Sequence, residues 1–244
     1  MCKSYHTIYL HMYIFREDCL IKNLSEIYSS CFGYPSKGTF VEVGASDGWY
    51  QSNSYGLIKH GWKGIYIEPI KWMYDLAVFY HKDYLSFFEN VAIGTQNKNV
   101  LFYEDNVRST SDLRYQQINN VFTSNIKFSP TWIQQVTLDS ILLKYSVRKN
   151  FELLIVDAND ATEDIFNSFS VTEYSPKYIL CCMHKTGYTQ YTSFYDRLVE
   201  EKYNGLKNYI NSLKEKNVNV RNKLLNCGYT IWYQDDVNIL FKKL

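Results

Sequence analysis

The sequence predicts an α/β fold: a doubly wound sheet, mostly parallel, with an antiparallel edge hairpin and an N-terminal helical segment. Three observations carry that prediction. Short apolar runs alternate with longer segments of helical pattern, which implies parallel strands with helices on both faces. The first run ends in a turn with two glycines, as at the ligand-binding rim of such sheets. Two β-patterned runs near the end flank Gln234, Asp235 and Asp236. They read as a hairpin, which adds an antiparallel strand at the edge.

The elements follow in order. Phe15, Cys19, Leu20, Leu24, Ile27, Tyr28 and Cys31 recur at helical spacing, so residues 12–31 predict one amphipathic helix, broken by Gly33, Tyr34 and Pro35. Residues 1–37 are expected to pack on a main domain of residues 38–244, being too few to fold alone. Apolar, β-branched runs predict strands over 39–43, 64–68, 85–93, 151–157, 177–183, 229–233 and 237–242, with helices over 51–60 and 71–81 among those between them. Residues 95–135 hold a hairpin strand at 100–103 and then a polar, aromatic loop. Residues 187–226 hold a long helix with Leu198, Tyr203, Leu206, Ile210 and Leu213 on one face. Both segments fall where such sheets carry substrate-facing insertions.

Composition excludes several classes. The 244 residues carry 26 Lys and Arg against 25 Asp and Glu, a net charge of +1. That balance provides no electrostatic footprint for nucleic acid. Four prolines and eleven glycines do not make a disordered linker. The six cysteines, Cys2, Cys19, Cys31, Cys181, Cys182 and Cys227, contain no CxxC pair and no zinc spacing, which predicts a reduced, cytoplasmic protein. No run of eighteen apolar residues predicts a membrane span. His6, His11, Arg16, Glu17 and Asp18 interrupt any signal-peptide core. Aromatic residues reach 17%, enough to pack a core or line a pocket.

The first strand and its turn read Val41-Glu42-Val43-Gly44-Ala45-Ser46-Asp47-Gly48, an E-x-G-x-x-x-G pattern. Dinucleotide enzymes use G-x-G-x-x-G and hold a pyrophosphate there. Glu42 and Asp47 would repel a pyrophosphate and attract a cationic amine or sulfonium. The pattern therefore points to a positively charged, phosphate-free ligand, of which S-adenosylmethionine is one. As a bland alternative, the two glycines serve only a strand-to-helix turn. Glu68 ends the second strand, where a carboxylate can accept both ribose hydroxyls of an adenosine; before Pro69 it can also simply start a helix. Asn90, Val91 and Gly94 end the third strand, where an amide can read an adenine edge.

These residues resemble the FkbM-like S-adenosylmethionine-dependent methyltransferases. The resemblance runs through Phe40 to Gly48, Ser52-Asn53-Ser54, Gly61 to Gly64, Ile67-Glu68-Pro69, Asn90 to Gly94 and Val136 to Ser140, and covers residues 38–242. It implies a class I methyltransferase, Rossmann-like sheet of seven strands, the last antiparallel. It implies cofactor contacts at Glu42, Gly44, Ala45, Asp47, Gly48, Ser54, Glu68, Asn90, Val91 and Asp157. The family's Asp-Val-Glu-Gly-Ala-Glu after strand four reads here Asp157-Ala158-Asn159-Asp160-Ala161-Thr162, so the match weakens in the loop that the resemblance places against the methyl donor.

Methyl transfer to a hydroxyl needs alignment and a proton acceptor. Asp157, ending strand four, can orient the acceptor, act as base, or ligate a divalent cation with Asp160 or Glu163. His184, following strand five, is the other candidate base. A surface loop histidine and helix-start carboxylates are the plain alternatives for His184, Asp160 and Glu163. His60 and His81 fall at helix ends, away from the rim. The leading expectation is an O-methyltransferase acting on a hydroxyl of a glycan, polysaccharide or sugar nucleotide. The alternatives are a methyltransferase-fold binding or structural protein without turnover, and a nucleic-acid methyltransferase. For a sugar acceptor, nine rings should border one cleft: Trp49, Tyr50, Tyr55, Phe122, Phe128, Trp132, Tyr188, Tyr191 and Tyr195.

Overall fold

A computed structural model of the chain describes residues 21–33, 36–104, 111, 129–183 and 204–244. The core is a seven-stranded sheet. Its strands are β1 (Thr39–Val43), β2 (Lys63–Ile67), β3 (Ser86–Glu89), β7 (Leu153–Val156), β8 (Tyr178–Cys182), β9 (Tyr229–Gln234) and β10 (Asn238–Lys243). A three-stranded sheet is made by β4 (Ala92–Ile93), β5 (Lys98–Glu104) and β6 (Ser129–Val136). The described helices are α1 (Leu24–Phe32), α2 (Tyr55–Lys59), α3 (Lys71–His81), α4 (Leu138–Lys144), α5 (Thr162–Asn167), α6 (Val171–Tyr174) and α7 (Asn204–Asn226).

The large sheet runs β3-β2-β1-β7-β8-β10-β9. The first five strands pair in parallel, and β10 is antiparallel to both β8 and β9. This is the class I methyltransferase fold. β1 lies at the centre, where strand order reverses between β2 and β7, the position at which such sheets bind ligands.

The central strands are buried on both faces, which is why they read as continuous apolar runs. One face packs Val41, Val43, Ile65, Val156 and Ile179 against α4, α5 and α7. The other packs Phe40, Leu153, Ile155 and Leu180 against α1 and α2. α1 is tied down by aromatic contacts: Phe32 meets Trp62 and Tyr178 edge-on, with centroids 4.8 and 5.1 Å apart. Among the described residues no helix is long and apolar enough to cross a membrane.

Two expectations change. The run 85–93 is not one strand: Asn90 donates its amide to the Glu68 and Pro69 carbonyls (2.9 Å each), and the chain turns out of the large sheet into β4. Part of the expected loop is β6, pairing antiparallel with β5 over Lys98–Glu104. The closing hairpin stands at the edge as expected, with β10 antiparallel to both β8 and β9 and β9 outermost.

Candidate functional site

The turn after β1 is built from backbone strain and remote hydrogen bonds. Gly44, Ser46 and Gly48 all hold left-handed backbone, with φ of 80°, 52° and 64°. A Cβ on Gly44 would sit 1.9 Å from the Asp157 carbonyl oxygen, so glycine lets β1 and β7 converge there. The Gly44 and Ala45 amides both donate to the Ile67 carbonyl, at 3.0 and 3.2 Å. The Ser46 amide donates to Glu68 Oε2 at 2.8 Å. Such strain persists only where the surroundings over-determine it.

Three carboxylates gather on this rim. Glu42 is 3% exposed and accepts the Ser54 hydroxyl at 2.6 Å. Burial pushes its carboxyl up to about 8, opposed by Ser54 and reinforced by the charges of Asp157 and Glu68. Glu68 is 7% exposed, and its oxygens each accept one backbone amide, from Ser46 and Ile70, both at 2.8 Å. Burial pushes it up to about 7, against those two bonds. Among the described residues neither carboxylate has a lysine or arginine partner. Asp157 is half-buried at the end of β7, its amide donating to the Val43 carbonyl at 2.9 Å. Its carboxylate also raises the Cys182 thiol, second to burial.

The rim thus assembles Glu42, Gly44, Ala45, Gly48, Ser54, Glu68 and Asp157 from three adjacent strands. Asp47 is there too, but its Oδ1 accepts the Trp49 and Tyr50 amides at 2.9 and 2.8 Å and caps the turn from within. Asn90 spends its amide hydrogens on Glu68 and Pro69, and Val91 is buried beside it. His184 lies outside the described residues. Sequence reasoning missed His81: it sits at the end of α3, yet its Nε2 lies 2.7 Å from the Gly48 carbonyl oxygen. A signal was present, since Met73, Ala77 and His81 recur every fourth residue and all three are buried. His60 stays on its own helix, against the Gly56 carbonyl.

The segment after β7 differs. A 3₁₀ turn, Asn159–Ala161, leads directly into α5, and the α7 side chains hold both. The Tyr209 hydroxyl donates to Asp160 at 3.4 Å, Asn219 donates to Glu163 at 3.0 Å, and Lys223 reaches the Phe166 carbonyl and Asn167. Asp160 and Glu163 are therefore engaged by the long helix, and no group of three metal-ligating side chains occurs among the described residues. Next to this segment a cleft of about 630 Å³ opens between β5, β6, the 3₁₀ turn and α7, lined by Tyr103, Trp132, Asp160, Asp164 and Lys216 among others.

The nine rings do not share one cleft. Of the four described, Trp49 packs on Tyr80 of α3 at 5.0 Å and Tyr55 faces His81 at 6.3 Å. Tyr50 is exposed beside them in the chain, and only Trp132 lines the cleft. The other five lie outside the described residues.

No family model matches the chain, and no curated protein matches it. Among solved structures it is similar to the methyltransferase FkbM of Methylobacillus flagellatus, at 15% identity and TM-score 0.45 over 84% of this chain and 43% of that one. It is similar to the S-adenosylhomocysteine-bound methyltransferase PaMTH1 of Podospora anserina, at 11% identity and TM-score 0.47 over 85% and 72%. A TehB-like S-adenosylmethionine-dependent methyltransferase of Corynebacterium glutamicum matches at 10% identity and TM-score 0.36 over 86% and 82%. The chain spans under half the length of the first of these.

Proposed function

We propose that this chain is an S-adenosylmethionine-dependent methyltransferase that acts in the cytoplasm on a hydroxyl of a glycan, polysaccharide or sugar nucleotide, with residues 38–244 as its catalytic domain. One observation carries the cofactor. The turn between β1, β2 and β7 is lined by carboxylates, two of them buried with no cationic partner among the described residues, and a sulfonium with an ammonium group satisfies that charge. The donor set also fits in number. Each Glu68 oxygen accepts one backbone amide and keeps a lone pair, so the two can accept a pair of ribose hydroxyls. Glu42, held by Ser54 and raised to about 8, supplies negative potential behind the turn once it is ionised, which a bound cation favours.

S-adenosylmethionine supplies an electrophilic methyl group when bound. The chain supplies alignment and a place for a proton. Asp157 ends β7 on the same rim and orients the acceptor hydroxyl or takes its proton; His184, after β8, is the other candidate for that proton. The acceptor would enter the cleft that begins three residues beyond Asp157, within about 11 Å along the chain. Of the rings expected at the acceptor, Trp132 alone among the described ones is there, 71% exposed, so the sugar reading rests on the polar lining: the carboxylates of Asp160 and Asp164 with the Lys216 ammonium offer acceptors and donors to vicinal hydroxyls. Free Cys31, Cys181, Cys182 and Cys227 suit a reducing compartment.

Titration with S-adenosylhomocysteine by calorimetry tests the cofactor; saturable binding is expected, and absence of heat and thermal shift would sink it. Labelled-methyl transfer to a panel of oligosaccharides tests the acceptor, with Trp132→Ala expected to reduce turnover at least tenfold. A second reading, binding without turnover, is favoured by the loop after β7, where Asn159 and Thr162 stand in place of carboxylates and the Thr162 hydroxyl donates to the Asn159 backbone carbonyl (3.0 Å). Labelled product would remove it.

A further inference from the structure

We infer that His81 is a positioning residue for the cofactor turn, holding its far glycine from the end of a helix thirty-three residues away. The inference rests on the cofactor reading above. His81 is completely buried, 0% exposed. Its ring lies flat on Tyr66, with centroids 4.9 Å apart and planes 7° from parallel, which fixes the plane of the ring. In that orientation Nε2 meets the Gly48 carbonyl oxygen at 2.7 Å. A carbonyl only accepts, so Nε2 carries the proton, and Nδ1 of the neutral ring is a bare acceptor. Among the described residues Nδ1 has no hydrogen-bond partner. A buried nitrogen left unpaired costs stability, and a phenyl ring would stack on Tyr66 without that cost. What imidazole adds is the bond to Gly48.

That bond falls where the turn needs it. Gly48 is buried, and His81 is the described partner of its carbonyl. The fit is mutual, because a Cβ on Gly48 would lie 2.7 Å from Nε2. The start of the turn is fixed by Ile67 and Glu68 of the neighbouring strand. His81 fixes its end. Through the stack, His81 also backs Tyr66, whose hydroxyl lies 3.4 Å from the Ser54 hydroxyl that serves Glu42. Both ends of the charged rim are therefore referred to one imidazole. Burial lowers the ring's pKa against the pull of Gly48 and Asp47, which keeps it in the neutral form that donates once and only once.

Two substitutions separate positioning from packing. His81→Phe keeps the stack and loses the donor; His81→Gln keeps a donor of similar reach and loses the stack. In the full chain, His81→Phe is expected to weaken S-adenosylhomocysteine binding about tenfold, with His81→Gln within about threefold of the parent. If affinity follows melting temperature and not the donor, His81 is structural only and the inference falls. A second measurement needs no cofactor: exchange of the Trp49 and Tyr50 amide hydrogens should quicken in His81→Phe and not in His81→Gln. Should the phenylalanine variant fail to fold, His81→Asn, whose amide stops short of Gly48, replaces it. A parent chain that binds no S-adenosylhomocysteine overturns the cofactor reading, whereas unchanged exchange in every variant overturns the role of His81.

Discussion

Two turns leave neighbouring strands on the same rim and are built in opposite ways. The turn after β1 is held by the framework itself: Ile67, Glu68 and His81 grip its two ends, and its carboxylates are buried. The turn after β7 is held by an added helix, through Tyr209, Asn219 and Lys223 at half-exposed or exposed contacts. The first cannot move without unpairing buried groups, which is expensive. The second can be re-posed by shifting one helix. The resemblance to the FkbM-like pattern holds at Glu42 to Gly48, in the turn that buried bonds fix, and is lost at Asn159 to Thr162, in the turn that a helix shift can re-pose.

The largest effect should come from Gly44→Ala. Its Cβ would overlap the Asp157 carbonyl at a φ of 80°. A loss of about 3 kcal/mol or more is expected, read by chemical denaturation, with cofactor binding abolished. Only a stable Gly44→Ala protein that still binds would show the first turn to be soft, and so break the contrast.

Next comes Glu68→Gln. One of its two backbone amides would then face an amide hydrogen, and a charged ribose acceptor is lost. Affinity for S-adenosylhomocysteine should fall about tenfold to a hundredfold.

The third effect is a pH dependence. Glu42 and Glu68 have native pKa values raised to about 8 and about 7. The native state therefore holds more protons than the unfolded one between the ordinary carboxylate range and pH 8. The stability these groups contribute is complete below that ordinary range and is lost as pH rises through about 8. Cofactor affinity runs the other way, because a cation prefers the ionised carboxylates. Binding of S-adenosylmethionine should strengthen from pH 6 to pH 8, and more steeply than that of the uncharged-sulfur product. Glu42→Gln should flatten both curves.

The smallest effects should come from Tyr209→Phe and Asn219→Ala, each within about 0.5 kcal/mol of parent stability and about twofold of parent cofactor affinity. Either one matching Glu68→Gln in cofactor affinity would erase the distinction between the turns.

The same contrast governs what the sequence reveals. β1, β2 and α3 are legible because their signals are local: an apolar run stopped by Gly44, another stopped by Glu68 and Pro69, and a buried stripe over Lys71–His81. The carboxylates of the rim follow from those boundaries. β6 is hidden because Pro130 and Gln134 spoil its alternation, and its partner β5 lies across a long connection. β4 is hidden because Asn90 turns the chain with a side-chain bond that no periodicity reports. His81 is visible as a helix-end residue but not as a contact of Gly48, since that pairing depends on how α3 crosses β2. The rings scatter for the same reason: nearness to the rim in sequence does not decide which face of the sheet a side chain takes.

β10 carries a consequence for the order in which the chain is made. It pairs with β8 on one side and β9 on the other, in register from Asn238↔Cys182 and Ile239↔Gln234. A ribosome delivers β8 well before β10, so a growing chain presents β8 as a raw, apolar edge until β10 slots into the gap. The sheet is therefore closed by a keystone inserted between two strands and not by a strand added at its border. A truncation before Asn238 should leave a five-stranded sheet with β8 as an open edge and β9 without its partner, and the protein should aggregate.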